Sequence, residues 1–161
     1  MLDLGVEHVS AYALTWEEGT RLAAGSCRPV PEELDEAMWE ACDRIAADYG
    51  LRRYEISNFA RPGAECRHNL EIWYGDRYVG CGPAAASFDG ADRWTNPADL
   101  DSWLRGEPPE VDRIPAAERA AEILAFGLRT TAGWSRERFR AVCGLDAMDL
   151  CGHVLTDLAA A

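Results

Sequence analysis

The strongest constraint on this chain is a long amphipathic helix flanked by two β-prone runs. Val30 to Gly50 opens on Pro31, a residue suited to the first helical turn. Glu32 and Glu33 then favour the positive end of the helix dipole. Leu34, Met38, Ala41, Ile45 and Tyr49 recur at three- and four-residue steps, and Gly50 stands where a C′ residue belongs. Before the helix, Val6 to Leu14 is apolar and β-rich, as a strand buried on both faces would be. After it, Arg53 to Ser57 is a second strand candidate. Strand, helix and strand predict a βαβ unit, parallel and right-handed.

The rest of the chain is more helical. Asn96-Pro97 predicts an N-cap and first turn, with Leu100, Trp103 and Leu104 inward and Gly106 as the stop. Glu107 to Glu110 (EPPE) is a stiff linker and the best boundary. Pro115 opens a further helix carrying Ala120, Leu124 and Leu128, with Gly127 as a weak point. Ser135 caps a short helix ending near Gly144, and Trp134 and Phe139 occupy the positions of a hydrophobic staple.

Charge and cysteine usage narrow the function. The chain of 161 residues carries a net charge of −12, which disfavours sequence-independent nucleic-acid binding and anionic membrane surfaces. No apolar run approaches the roughly 18 residues that span a bilayer. The start shows no basic segment followed by a long apolar run, so a cytoplasmic protein is expected. The six cysteines are Cys27, Cys42, Cys66, Cys81, Cys143 and Cys151. None is spaced as C-x-x-C, and free thiols, several of them in the core, are the expectation.

Unlike chemical groups concentrate in Tyr54 to Phe88. From Arg52 to Arg77, five arginines face four acids, a local net of +1 in an acidic chain. His68 offers an imidazole nitrogen, Asn69 can orient it, and Trp73 can cover a flat apolar ligand. Arg61 or Arg67 could meet carboxylates. The plainer alternative makes His68 a loop residue, Trp73 core, and the arginines partners of nearby acids. Gly80-Cys81-Gly82-Pro83-Ala84-Ala85-Ala86-Ser87 is a weak motif whose small residues allow close approach to the backbone.

HVSAYALTWEEGT, YEISNFARPG, ECRHNLEIW, YVGCGPAAAS and AEILAFGLRTTAGW, in that order, resemble the C-terminal half of the HemW and oxygen-independent coproporphyrinogen III oxidase family. These are radical S-adenosylmethionine (SAM) proteins acting on porphyrins or haem. The resemblance implies an α/β fold: the last strands of a partial (β/α)6 radical SAM barrel in residues 1–106. Part of a helical accessory domain, like the C-terminal domain of HemN, would follow in residues 107–161.

Within the family, H-N-x-x-Y-W marks the haem-chaperone branch. His68, Asn69 and Trp73 match it, while Ile72 stands at the tyrosine position, so no role of that hydroxyl carries over. The resemblance thus implies haem contacts at His68, Asn69 and Trp73, with His68 the candidate iron ligand. It implies SAM contacts at Thr15 and Ala86. The C-x-x-x-C-x-x-C motif that holds a [4Fe–4S] cluster is absent from the chain, as is the glycine-rich SAM motif. The chain therefore reads as the latter part of a longer protein, with no complete cofactor site, no assignable catalytic residue and no expected activity alone. Its expected partners are haem or porphyrin, the N-terminal radical SAM half and haem-recipient proteins. The rival readings are a coproporphyrinogen III oxidase, which decarboxylates propionates oxidatively, and an inactive fragment lacking the cluster.

Overall fold

A computed structural model describes residues 4–25 and 29–160. It divides into two compact units, residues 1–65 and 66–161. Cys27, among the thiols considered above, lies outside the described residues; Cys42, Cys81, Cys143 and Cys151 are free thiols.

In the first unit, β1 (His8–Ser10) is followed by α1 (Glu32–Asp48), β2 (Arg52–Arg53) and β3 (Asn58–Ala60). The expected second strand, Arg53–Ser57, is a tight hairpin instead. The carboxylate of Glu55, 1% exposed, accepts from the Ser57 backbone N–H and from Asn58 Nδ2, each at 2.6 Å. Those two bonds replace ladder partners and turn the chain back on itself. The sheet order is β1-β3-β2, with β3 antiparallel to both neighbours. β1 and β2 therefore run in one direction with α1 between them, but β3 is inserted where direct parallel pairing was expected.

Helix α1 packs on a face rotated from the expected one. Ala46, Leu51 and Phe59 form the buried cluster, with Val9, Ala11 and Cys42 against it. Leu34, Met38 and Ile45 are each about half exposed. The hairpin supplies the reason. Arg53 forks onto Asp43 at 2.9 and 3.0 Å and lies over the Trp39 ring at 4.8 Å and the Phe59 ring at 5.0 Å. These contacts hold the Trp39–Cys42–Ala46 side toward the sheet. Gly50 does follow the helix as expected, with φ +75°.

The second unit opens with α2 (Arg67–Trp73) and then a second antiparallel sheet, β4 (Ala86–Phe88), β5 (Arg93–Thr95) and β6 (Glu110–Asp112), in that order. The β4–β5 turn is held by Asp89, whose carboxylate accepts from the Asp92 and Ala91 backbone N–H groups. Those bonds hold its carboxyl below the usual range. The EPPE segment is thus not wholly linker, because Glu110 enters β6. Helix α3 (Leu100–Leu104) lies between β5 and β6 and starts three residues later than expected: Asp99, not Asn96, caps it by accepting from Ser102 N at 2.8 Å. Leu100 and Leu104 are exposed, contrary to the inward placement expected of them.

Three helices close the unit: α4 (Ala116–Leu128), α5 (Arg136–Cys143) and α6 (Ala147–Ala160), the last kinked at Cys151. Their core is Ala120, Leu124, Phe139 and Ala147. Here expectation and structure agree closely. Ser135 accepts from Arg138 N at 3.1 Å, Gly144 takes the left-handed conformation after α5, and Trp134 meets Phe139 edge to face at 5.4 Å. Leu128, on the same helix, is 49% exposed. No helix among the described residues is long and apolar enough to cross a membrane.

Candidate functional site

Helix α2 carries the residues singled out around His68. Cys66 is its N-cap, and the chain leaves it at Tyr74, with Gly75 at φ +82°. At about 100° per residue, Asn69 and Trp73 share one side of the helix, while His68 and Trp73 are about 140° apart. His68 is exposed; Asn69 and Trp73 are half-buried. The Arg129 guanidinium lies 4.5 Å from the centre of the Trp73 ring, so a flat ligand would meet the opposite face or the edge.

The hydroxyl absent at Ile72 is not supplied by the adjacent Tyr74. Tyr74 is buried, its hydroxyl 2.8 Å from Thr130 Oγ1 and donating to the Gly133 carbonyl at 3.1 Å. Its ring stands edge to face with Trp134 at 4.8 Å and beneath the Arg138 guanidinium at 3.8 Å. Of the two arginines considered for carboxylates, Arg67 faces Glu71 at 3.6 Å. Arg61 belongs to the other compact unit.

The glycine-rich segment is a braced loop. Tyr78 and Phe88 exchange backbone hydrogen bonds at 2.9 Å, and the Gly80 N–H donates to the buried Ser87 hydroxyl at 2.9 Å. Asn96, expected to cap a helix, instead donates its side-chain amide to the carbonyls of Gly80 and Gly82, at 3.3 and 3.0 Å. Gly80 is required here, since a Cβ would sit 2.1 Å from the Ala86 carbonyl oxygen. The loop's own backbone fills that space. Nothing in the sequence pattern distinguished this role of Asn96 from a cap, because Asn-Pro suits both.

Ala84 is the one described non-glycine residue with positive φ, at +57°. The left-handed conformation costs an L-residue roughly 1–2 kcal/mol, and glycine returns part of that through its looser unfolded state. Ala84→Gly is expected to stabilise the protein by about 0.5–1 kcal/mol, read as a raised urea midpoint. A lowered midpoint would mean that the methyl group makes contacts outweighing the strain. Ala86 is half-buried in β4; Thr15 is exposed in a loop of the first unit.

A cleft of about 610 Å³ opens beside α2, lined among others by Glu71, Arg77, Gly90, Arg119, Ile123 and Cys143. Burial pushes the Cys143 thiol up, against the opposing pull of Arg119. Sequence reasoning did not find this cleft, whose walls lie up to seventy residues apart. A second hollow, of about 680 Å³, lies in the first unit between Tyr12–Leu14, Trp16 and the Met38–Cys42 side of α1. Among the described residues, no three His, Cys, Asp or Glu side chains gather as a metal site.

Known structures define the class first. The fold is similar to that of E. coli HemN, described as a coproporphyrinogen III oxidase and radical SAM enzyme, with a TM-score of 0.74. That match covers 98% of this chain and 41% of the other at 13% identity, which establishes a HemN-like α/β fold. No family model matches the chain. Curated sequences are more specific. The Bacillus subtilis heme chaperone HemW is 33% identical over 98% of this chain and 44% of its own length. The Mycobacterium tuberculosis HemW (strain H37Rv) is 43% identical over 57% of this chain and 25% of its own. The chain belongs with the HemW-like, oxygen-independent coproporphyrinogen III oxidase-like radical SAM proteins, and it spans less than half the length of the curated relatives it matches.

Proposed function

We propose that this chain is part of a HemW-like haem chaperone and takes part in binding haem and passing it to recipient proteins. One observation carries the reading: an exposed imidazole, His68, stands on a short helix whose Asn69 and Trp73 also match the haem-chaperone motif. Haem is cargo here, and the imidazole nitrogen supplies an axial ligand to its iron. The helix fixes the position of His68, while the indole of Trp73, backed by Arg129, offers an apolar surface to the porphyrin.

The same reading places residues 1–106 in the barrel and residues 107–161 in the helical accessory domain. Thr15 and Ala86 would border SAM, and the cluster and most of the SAM site would come from the rest of a full-length protein. The cysteines of this chain lack the closely spaced set that holds a [4Fe–4S] cluster, so no chemical step is assigned to it. A cytoplasmic setting fits this role. The second reading, an oxygen-independent oxidase, is disfavoured by the His68-Asn69 and Trp73 match, which belongs to the other branch.

Haem titration followed in the Soret region tests the assignment. His68→Ala should shift the Soret band and weaken binding about ten-fold or more. Trp73→Ala should weaken binding without moving the band. Cys66→Ser is the necessary control, because a thiolate two residues away can also hold haem iron. Spectra unchanged in both His68→Ala and Cys66→Ser would remove this helix from the haem site, whereas stoichiometric propionate decarboxylation by a cluster-loaded full-length protein would favour the oxidase.

A further inference from the structure

The arginines of the second unit separate into committed and uncommitted cations. Arg67, Arg93, Arg105, Arg113, Arg136 and Arg140 form ion pairs. Arg129 and Arg138 lie over aromatic rings. Among the described residues, Arg77 and Arg119 fall in neither group, although the charge of Arg77 acts on the nearby Asp89 carboxylate. Both line the 610 Å³ cleft beside α2.

Backbone of the β4–β5 turn lies against both. Arg119 donates to the Ala91 carbonyl at 3.2 Å. Gly90, at φ +99°, lets Arg77 Nε lie where a Cβ would be only 3.2 Å away. The β4–β5 turn therefore anchors Arg119 and touches Arg77. Glu71 lies three residues beyond His68, on the same side of α2, and forms part of the adjoining wall. It is engaged by Arg67 at 3.6 Å. Glu71 and Asp76 also line the cleft, and Arg77 and Arg119 are the cations of its described lining.

We propose that this cleft receives the carboxylate-bearing edge of a tetrapyrrole, with Arg77 and Arg119 as the propionate partners. The inference rests on the haem reading of α2 and extends it: a ligand held at His68 would reach, past Glu71, a cleft lined by two guanidinium groups. Arginine suits this role because its planar fork meets a carboxylate through two parallel hydrogen bonds.

Titration with metal-free mesoporphyrin IX separates carboxylate recognition from iron ligation, and its dimethyl ester removes the carboxylates. Arg77→Gln and Arg119→Gln should each weaken mesoporphyrin binding about ten-fold, as expected for loss of a charge-assisted pair. Arg113→Gln makes the same charge change outside the cleft and should leave the affinity unchanged. The dimethyl ester should bind weakly to every variant. The proposal is overturned by equal affinities for Arg113→Gln and Arg119→Gln, by an ester that binds as tightly as the diacid, or by no mesoporphyrin binding at all. His68→Ala distinguishes the two layers, since it should alter the haem spectrum while sparing mesoporphyrin affinity. Arginine effects without a His68 effect would retain the cleft and discard the iron ligand; the reverse pattern would discard the cleft alone.

Discussion

Phe139→Ala is expected to cost about 3–5 kcal/mol, the range for truncating a fully enclosed aromatic side chain. Phe139 is 0% exposed and joins Ala120 and Leu124 of α4 to Ala147 of α6. Its ring also receives the edge of Trp134 at 5.4 Å. Three helices of the second unit therefore meet on one side chain. Total stabilities of domains are about 5–15 kcal/mol, so the variant would be close to unfolding at ambient temperature. Phe139→Leu retains most of the volume and should cost less than about 1.5 kcal/mol. Urea unfolding followed by tryptophan fluorescence and far-ultraviolet circular dichroism measures both. An alanine variant losing less than about 1 kcal/mol would mean that the helices close over the gap.

The helical end of the molecule was the most legible part of the sequence because its signals are local. Ser135 as cap, Gly144 as stop and the Trp134–Phe139 staple lie within ten residues of one another, and each role follows from backbone geometry. The face of α1 was misjudged for the opposite reason. Leu34, Met38, Ala41 and Ile45 form a regular apolar stripe, yet Arg53 in the next element grips Asp43 and covers Trp39, turning the Cys42–Ala46 side inward. The hairpin at Arg53–Asn58 was equally hidden. Its alternating Tyr54 and Ile56 read as a strand, and only the folded-back carboxylate of Glu55 reveals the turn.

At the candidate site, type of residue was legible and placement was not. His68, Asn69 and Trp73 were found as a motif, but only the helix separates an exposed imidazole from the half-buried Asn69 and Trp73 on another side. Asn96 read as a helix cap, and Arg119 carried no signal at all. Each acts on backbone carbonyls brought near by the second sheet, at distances of fourteen to twenty-eight residues along the chain.

Gly127 shows how packing can invert an ordinary helix rule. Glycine inside a helix usually costs about 1 kcal/mol relative to alanine, so Gly127→Ala in α4 would be expected to stabilise. Here a Cβ at Gly127 would stand 2.0 Å from Trp134 Nε1 and 2.5 Å from Cε2. The indole cannot simply swing aside. Its N–H donates to the Ile123 carbonyl at 3.2 Å, and its ring is locked edge to face against Tyr74 and Phe139. Accommodating one methyl group would break that hydrogen bond and disturb both aromatic contacts. Overpacking of a core costs about 1–3 kcal/mol, and loss of the indole hydrogen bond about 0.5–1.5 kcal/mol more. Set against the helical gain, the expected net loss is about 2–3 kcal/mol. The tryptophan emission of the folded protein should also shift to longer wavelength as the indole is expelled. Gly127→Ala in the background of Trp134→Leu removes the obstacle, and there the alanine should become neutral or stabilising. A single variant with unchanged stability and emission would show that Trp134 does not occupy the space above Gly127.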